Sequence, residues 1–94
     1  MIESFKSRPL KLFWQRSDAS KINPKWLTRV ALILDALDAA ERPEALDMPG
    51  LAFHRLRGSR KRAYAVTVSG NWRITFEFEG ESARNVNLED YHGS

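Results

Sequence analysis

The chain has 94 residues, of which 43% are hydrophobic, with a formal net charge of +3 and no cysteine. This length and composition predict a single domain over residues 1–94 and exclude a disordered chain, disulfide bonds and zinc sites built on thiolates. No stretch approaches the roughly 20 consecutive apolar residues of a membrane helix, and the N-terminus lacks the apolar run of a signal peptide, so we expect a cytoplasmic protein that contacts no membrane.

The first predicted elements are a short strand and a short helix. The segment MIESF at the N-terminus is compatible with a strand. Pro9 then suits the first turn of a helix, where its missing N–H is no loss, and Ser7 is placed to cap that helix. We therefore expect a helix over about residues 8–16, with Leu10, Phe13 and Trp14 on its buried side.

The second helix has a stronger start signal. Asn23 precedes Pro24, which is the pattern of an N-cap followed by proline at the first helical position. Apolar residues then recur at helical spacing, so we expect a helix over about residues 24–40 with one packed side. The packed positions are Trp26, Leu27, Val30, Ala31, Ile33, Leu34 and Leu37.

From Leu51 onward the apolar period changes from 3.6 to 2, which indicates strands. The segments FHRL, AYAVTV, NWRITFEF and ARNVNLEDY alternate, and turn sequences at residues 69–71 and 80–81 join the last three as an antiparallel meander. In NWRITFEF the large side chains share the face that the helices must cover, so Arg73 points to the open side. The predicted fold class is α+β, with two N-terminal helices packed on one face of a small antiparallel sheet.

Close to its end, in the stretch NVNLEDYHGS, the chain carries Asp90, Tyr91 and His92, three side chains that titrate, stack and form hydrogen bonds. If the last strand pairs with the strand at residues 72–78, its C-terminal end lies near Arg73, because antiparallel neighbours meet at opposite ends. We therefore expect these three residues to surround an arginine. The strand with His54 belongs to the same sheet, although alternation does not decide which face His54 uses.

Cations are concentrated in two groups. Residues 55–62, RLRGSRKR, hold five cations and no acid, among them Arg57, Arg60, Lys61 and Arg62. A looser group consists of Lys11, Arg16, Lys21, Lys25 and Arg29. Such groups are typical of phosphate-binding surfaces and equally of solvated segments without a partner.

Two histidines, a carboxylate, a tyrosine and arginines without a metal-ligand set match the needs of metal-free RNA cleavage. The ribose 2′-hydroxyl must lose a proton, the leaving 5′-oxygen must gain one, and the phosphorane charge must be stabilised. Imidazole serves in either proton transfer, arginine holds phosphate and tyrosine stacks on a base. Each residue also has a purely structural explanation, such as an ion pair of Arg73 with Glu77 or Asp90. The residue pattern alone leaves both interpretations open.

Several pieces of the sequence together resemble a known family. They are His54 with Leu56 and Gly58, the block VSGNWRITF at residues 68–76, the terminal Asp-Tyr-His and the opening MIESF. The chain resembles the HigB toxins, also described as plasmid maintenance killer proteins, of the RelE/ParE superfamily. The resemblance covers essentially the whole chain and is weakest over residues 7–50. It implies a RelE-like fold and a ribosome-dependent, metal-free endoribonuclease without a cofactor, which cuts mRNA in the ribosomal A site and leaves a 2′,3′-cyclic phosphate.

The resemblance also implies site residues. His54, Asp90, Tyr91 and His92 match the family's catalytic positions, and Arg73 matches an arginine that supports the phosphate. The family's usual lysine three residues after the histidine is Arg57 here, which keeps the charge but removes a possible proton donor. We expect His92 and Asp90 to act at the 2′-hydroxyl and His54 at the leaving oxygen, although the sequence also allows the two histidines to exchange roles.

The resemblance implies three partners: the 70S ribosome with its rRNA, the mRNA, and a HigA-like helix-turn-helix antitoxin. The toxin is expected to bind operator DNA only as part of the complex with this antitoxin. We expect Lys21, Lys25, Arg29 and the cations at residues 60–62 to contact rRNA phosphates. Two rival functions remain: a ParE-like toxin that binds DNA gyrase without hydrolysis, and a non-catalytic RNA-binding domain. The two histidines and the complete Asp-Tyr-His end favour the nuclease.

Overall fold

The computed structural model describes residues 1–91. Its helices are α1 (Arg8–Arg16) and α2 (Leu27–Ala39), and its strands are β1 (His54–Arg55), β2 (Ala63–Ser69), β3 (Trp72–Glu79) and β4 (Ser82–Asp90). Short 3-10 turns cover Pro24–Trp26, Pro43–Leu46 and Gly58–Arg60. The strands form one antiparallel sheet in the order β1-β2-β3-β4. The predicted α+β class is confirmed.

Both predicted helices are present, with one change at the start of the second. The Ser7 hydroxyl accepts a hydrogen bond from the Leu10 amide at 3.2 Å, which is the expected cap of α1. Asn23 caps as predicted, but it caps the 3-10 turn Pro24–Trp26, and the α-helix begins only at Leu27. The core lies between these helices and one face of the sheet, and its fully buried members include Leu10, Val30, Leu34, Ile74 and Phe76.

The predicted first strand forms only in part. Two isolated parallel bridges join Ile2 to Ala83 and Phe5 to Val86. Between them, the Asn85 amide donates to the Ser4 hydroxyl at 2.8 Å rather than to a backbone carbonyl. The N-terminal segment therefore lies along the outer edge of β4 without a continuous ladder, because β4 is irregular at this point.

That irregularity is a β-bulge, and it decides which side chains of β4 face the helices. Thr75 is paired with Asn87, but Glu77 is paired with Arg84, so two residues of β4 lie opposite one residue of β3. The extra residue is Asn85, with a positive φ of 54°, a conformation that asparagine tolerates better than most residues. Ala83 and Val86 consequently both lie in the core. Asn87 and Glu89 alternate to the opposite face.

The face of the sheet that α1 and α2 do not cover, called the open face below, carries a small apolar cluster of its own. Leu56, Ala63 and Ala65 are buried there, and Tyr91 packs against them. The Leu56 amide donates to the Ala63 carbonyl at 2.9 Å, which starts the return of residues 56–62 over this face. The cationic segment is therefore anchored to the sheet by Leu56 and by the hydrogen bonds of Arg60 to Glu89, while residues 57–62 remain exposed.

Candidate active site

His54 lies on the open face. In the sheet it is opposite Ala65, which is in turn opposite Thr75 on β3. Its side chain is exposed, and Nδ1 lies 3.0 Å from the Ala52 carbonyl oxygen. A carbonyl only accepts hydrogen bonds, so Nδ1 carries the proton and Nε2 of the neutral ring is left as a proton acceptor. The backbone has thus selected the tautomer whose Nε2 can exchange protons with a ligand.

The C-terminal end of β4 lies where antiparallel pairing predicts. The Tyr91 amide donates to the Asn71 carbonyl at 2.8 Å, and Asp90 is opposite Trp72. Trp72 belongs to the helix side, where its ring centroid lies 5.4 Å from that of Trp26. Because Asp90 is paired with Trp72, its side chain is on the side of the helices. Tyr91, one residue later, packs on the open face. His92, also predicted to be catalytic, lies outside the described residues.

Arg73 lies on the open face as predicted, but the carboxylate opposite it is Glu89 rather than a member of the terminal triplet. Its Nη1 donates to the carbonyls of Gly70 and Trp72, the latter at 3.2 Å. Arg73 forms no ion pair with Glu77 within residues 1–91, and its Nη2 has no hydrogen-bond acceptor there. The guanidinium is therefore held by the turn before β3 and keeps a donor for a ligand.

Glu89 was not expected from the sequence, yet it joins three elements of the site. Both of its carboxylate oxygens accept from Arg60, at 2.9 and 2.6 Å, and the buried Thr75 hydroxyl donates to one of them. The Arg60 hydrogen bond holds the pKa of the Glu89 carboxyl below its usual value, against the opposing effect of burial. Glu89 in turn raises the pKa of Arg60, with a smaller electrostatic contribution from Tyr91. This bidentate pair fastens the cationic segment to β4.

The other predicted phosphate-binding cations are of two kinds. Arg57, Lys61 and Arg62 are exposed on the segment that covers the open face, and Lys21 and Lys25 are exposed in the connection before α2. Arg29 is different, since its Nε donates to the Thr67 carbonyl at 2.9 Å and its Nη2 to the Gly50 carbonyl. Its guanidinium ties α2 to the sheet and to the loop before β1, so Lys21 and Lys25 are the more accessible members of that group.

Comparison with known proteins gives a consistent assignment. A family model described as "RelE-like toxin of type II toxin-antitoxin system HigB" matches residues 3–92. The curated protein Endoribonuclease HigB of Proteus vulgaris is 37% identical over 92 residues, which cover 98% of this chain and 100% of that protein. The chain belongs to the HigB family of RelE-like toxins. As a type II toxin it has a cognate antitoxin as its partner, and the match spans every site residue predicted above.

This HigB-family toxin has two adjoining cavities, one on the open face and one at the end of the sheet. One, of about 240 Å³, is lined among others by Lys6, Arg60, Arg62, Glu77, Asn85 and Glu89. The other, of about 510 Å³, shares Arg62, Glu77 and Asn85 and extends toward Arg55, Tyr64 and Arg84 at the end of the sheet. Among the described residues, each cavity is lined by three cations and two carboxylates, and one cation in each is paired with a carboxylate of the same lining.

Two features are absent from residues 1–91. No group of three or more histidine and carboxylate side chains in this part of the chain is arranged to hold a metal ion. Neither α1 nor α2, nor any other helix formed by these residues, has the length and apolar character needed to cross a bilayer.

Proposed function

We propose that this HigB-family toxin is a ribosome-dependent endoribonuclease that cuts mRNA in the ribosomal A site and so stops translation and growth. Family membership and the Proteus vulgaris endoribonuclease support the coarser part, a type II toxin with endoribonuclease activity. The observation that carries the finer proposal is the open face. There, a histidine with an accessible Nε2, an arginine with a spare donor and Tyr91 lie on the side of the sheet without helices.

The proposed reaction is attack of a ribose 2′-hydroxyl on the adjacent phosphate. The O2′–P bond forms as a base removes the hydroxyl proton, and the P–O5′ bond breaks as an acid delivers a proton to O5′. The products are a 2′,3′-cyclic phosphate and a 5′-hydroxyl. His92 takes the first proton and His54 supplies the second from Nε2. Asp90 alternates toward the helices, so in this scheme it acts on His92 only as its neighbour in the chain and not from the open face. The hydrogen bond from Nδ1 to Ala52 keeps Nε2 as the exchanging nitrogen in either role.

The charge of the phosphorane is stabilised by arginines. Arg73 presents Nη2, and its orientation is fixed in advance by the carbonyls of Gly70 and Trp72. Arg57 is exposed on the covering segment and adds a second guanidinium, which holds phosphate oxygens in bidentate fashion. Tyr91 packs against the apolar cluster of Leu56, Ala63 and Ala65 on the same face and orients the nucleotide.

We further propose that the antitoxin is a HigA-like helix-turn-helix protein, so that operator DNA is bound only through the toxin–antitoxin complex. The toxin acts in the cytoplasm, where its ribosomal target is located. Lys21, Lys25, Arg60, Lys61 and Arg62 supply contacts to rRNA phosphates, and Arg29 contributes mainly by holding α2 in place.

The proposal is tested by primer extension on mRNA in a translating extract. Wild type is compared with His92→Gln, with a truncation that lacks residues 91–94, and with Glu81→Gln, an exposed position in the turn before β4. We expect cuts inside ribosome-bound codons for wild type and Glu81→Gln, and none for the other two. Full cleavage by His92→Gln would refute the acid–base scheme.

A ParE-like function gives the opposite pattern. If wild type leaves mRNA intact while growth still stops, the nuclease proposal fails, and inhibition of gyrase in a supercoiling assay becomes the expected activity.

A further inference from the structure

Arg73 and Glu89 are directly opposite each other on β3 and β4, on the open face. The Cβ atoms of such a cross-strand pair are about 4.5–5.5 Å apart, and opposite charges placed there normally attract each other. Within residues 1–91, however, the ion pair of Glu89 is with Arg60, at 2.6 Å. Arg73 instead donates to the carbonyls of Gly70 and Trp72. The pair that the strand register favours is therefore replaced by another.

The hydrogen bonds of Arg73 leave part of its guanidinium unsatisfied. Its Nε is buried, and among the described residues no acceptor lies within hydrogen-bonding distance of it. A buried donor without a partner is destabilising. A carboxylate that accepted from Nε and a terminal nitrogen together would remove this cost, because guanidinium and carboxylate match as bidentate partners. Glu89, across the strand, is the nearest carboxylate by register, so Arg73 stays open to a phosphate only while Glu89 is held elsewhere.

Arg60 is the residue that holds Glu89. Its two terminal nitrogens donate to Oε1 and Oε2 of Glu89 at 2.9 and 2.6 Å, and the Thr75 hydroxyl also donates to Oε2. Both oxygens of the carboxylate are thus occupied, and its charge is balanced by an arginine 29 positions away in the chain. A guanidinium has five N–H donors, so Arg60 keeps others for a phosphate of rRNA.

We infer that Arg60 is a positioning residue for phosphate stabilisation: it holds both oxygens of Glu89 and so prevents this carboxylate from pairing with Arg73. The inference rests on the proposed function, in which Arg73 stabilises the phosphorane. A carboxylate bound to Arg73 would occupy the donors that the substrate needs and would repel its phosphate. The sheet therefore contains an inactive pairing of its own, and Arg60 excludes it.

The test is single-turnover cleavage of mRNA on 70S ribosomes at saturating toxin. Arg60→Gln should lower the cleavage rate at saturation by about 100-fold, the usual loss when one stabilising donor is withdrawn from a transition state. Arg60→Gln with Glu89→Gln should regain most of that loss, because a neutral amide competes weakly for Arg73. Arg42→Gln removes the same charge from an exposed position and should match wild type.

A purely structural role of Arg60 gives a different result. If Arg60 only anchored the segment that carries Arg57, the second substitution would remove the remaining anchor, and the double variant would cleave no faster than Arg60→Gln. That outcome would overturn the inference, as would full activity of Arg60→Gln alone.

A second measurement is independent of nuclease activity. The pKa of the Glu89 carboxyl is measured by ¹³C NMR in Arg60→Gln and in Arg60→Gln with Arg73→Gln. In the first variant it should stay below the usual value of about 4.3, because Arg73 replaces Arg60 as the partner, and in the second it should rise. The hydrogen bonds to Glu89 from Thr75 and Asn87 remain in both variants, so the difference reports Arg73 alone.

Equal pKa values of Glu89 in these two variants would refute the pairing with Arg73. If wild type cuts no mRNA at all, the proposed function fails, while the titration still decides whether Arg60 keeps Glu89 from Arg73.

Discussion

At the residue scale, the chemistry of His54 is determined by a backbone atom that no sequence motif identifies. The Ala52 carbonyl accepts from Nδ1, and Ala52 itself has a positive φ of 51°. That conformation is strained for a residue with a Cβ atom. The loop before β1 therefore holds the imidazole in one tautomer at some cost in backbone energy.

Replacement of His54 tests its assigned role. His54→Ala should lower ribosome-dependent cleavage by about 100- to 10,000-fold, the usual contribution of a general acid or base. Because the side chain is exposed, folding should be retained, and added imidazole should restore part of the activity. Glu81→Gln, at an exposed position in the turn before β4, is the matched control and should keep full activity. Undiminished cleavage by His54→Ala would exclude it from proton transfer.

At the element scale, the most informative contact joins residues 56–62 to β4. Arg60 and Glu89 are 29 positions apart and form two parallel hydrogen bonds, with 41% and 20% of their side chains exposed. The apolar contact of Leu56 with Tyr91 adds to the same junction. These contacts fix the segment that carries Arg57 relative to Tyr91. Such a fixed arrangement is needed if Arg57 and Tyr91 act in the same reaction centre.

This junction predicts a pH-dependent contribution to stability. The folded-state pKa of Glu89 is lowered, so its contribution is fully present above the usual glutamate pKa of about 4.3 and is lost as the pH falls through the folded-state value. Glu89→Gln should reduce the free energy of unfolding by about 1 kcal/mol at pH 7, after allowance for the solvent exposure of Arg60. Urea unfolding at pH 7 and pH 3 measures this.

The difference between Glu89→Gln and wild type should be smaller at pH 3 than at pH 7, while Glu81→Gln, in the exposed turn, should match wild type at both values. A difference of the same size at both values would show that packing, rather than the charged pair, accounts for the effect.

Much of the fold could be predicted from caps and periodicity. The Ser7 cap and Pro9 locate the start of α1, and alternation from Leu51 identifies the meander. The bulge could not be predicted, because the one extra residue leaves no distinctive sequence mark. It reverses the alternation within β4, so it decides that Glu89 faces Arg73 and that Asp90 faces the helix side. Glu89 was missed for this reason, although its position one residue before the terminal triplet was visible.

At the scale of the whole molecule, the exposed cations lie on two layers. Those of residues 57–62 cover the open face, whereas Lys21 and Lys25 precede α2 in the helical layer. A protein that only bound a single RNA strand on the open face would have little use for the second group. A protein inserted between surfaces of rRNA would use both.

Ribosome binding should therefore depend on salt through both layers. Lys21→Gln with Lys25→Gln should weaken binding to 70S ribosomes and lower the slope of log K against log salt by about two, close to one for each lost phosphate contact. Arg42→Gln, an exposed cation in neither group, serves as the control. An unchanged slope in the double variant, measured by cosedimentation at several salt concentrations, would remove the helical layer from the interface.

The most direct measurement for the central proposal is to map cuts on two mRNAs that differ by one nucleotide inserted after the start codon. A nuclease that acts in the A site cuts at a fixed position within each codon, so the whole set of cuts should shift with the reading frame and vanish when ribosomes are omitted. Cuts that stay at the same sequences in both mRNAs, or that persist without ribosomes, would contradict a ribosome-dependent toxin.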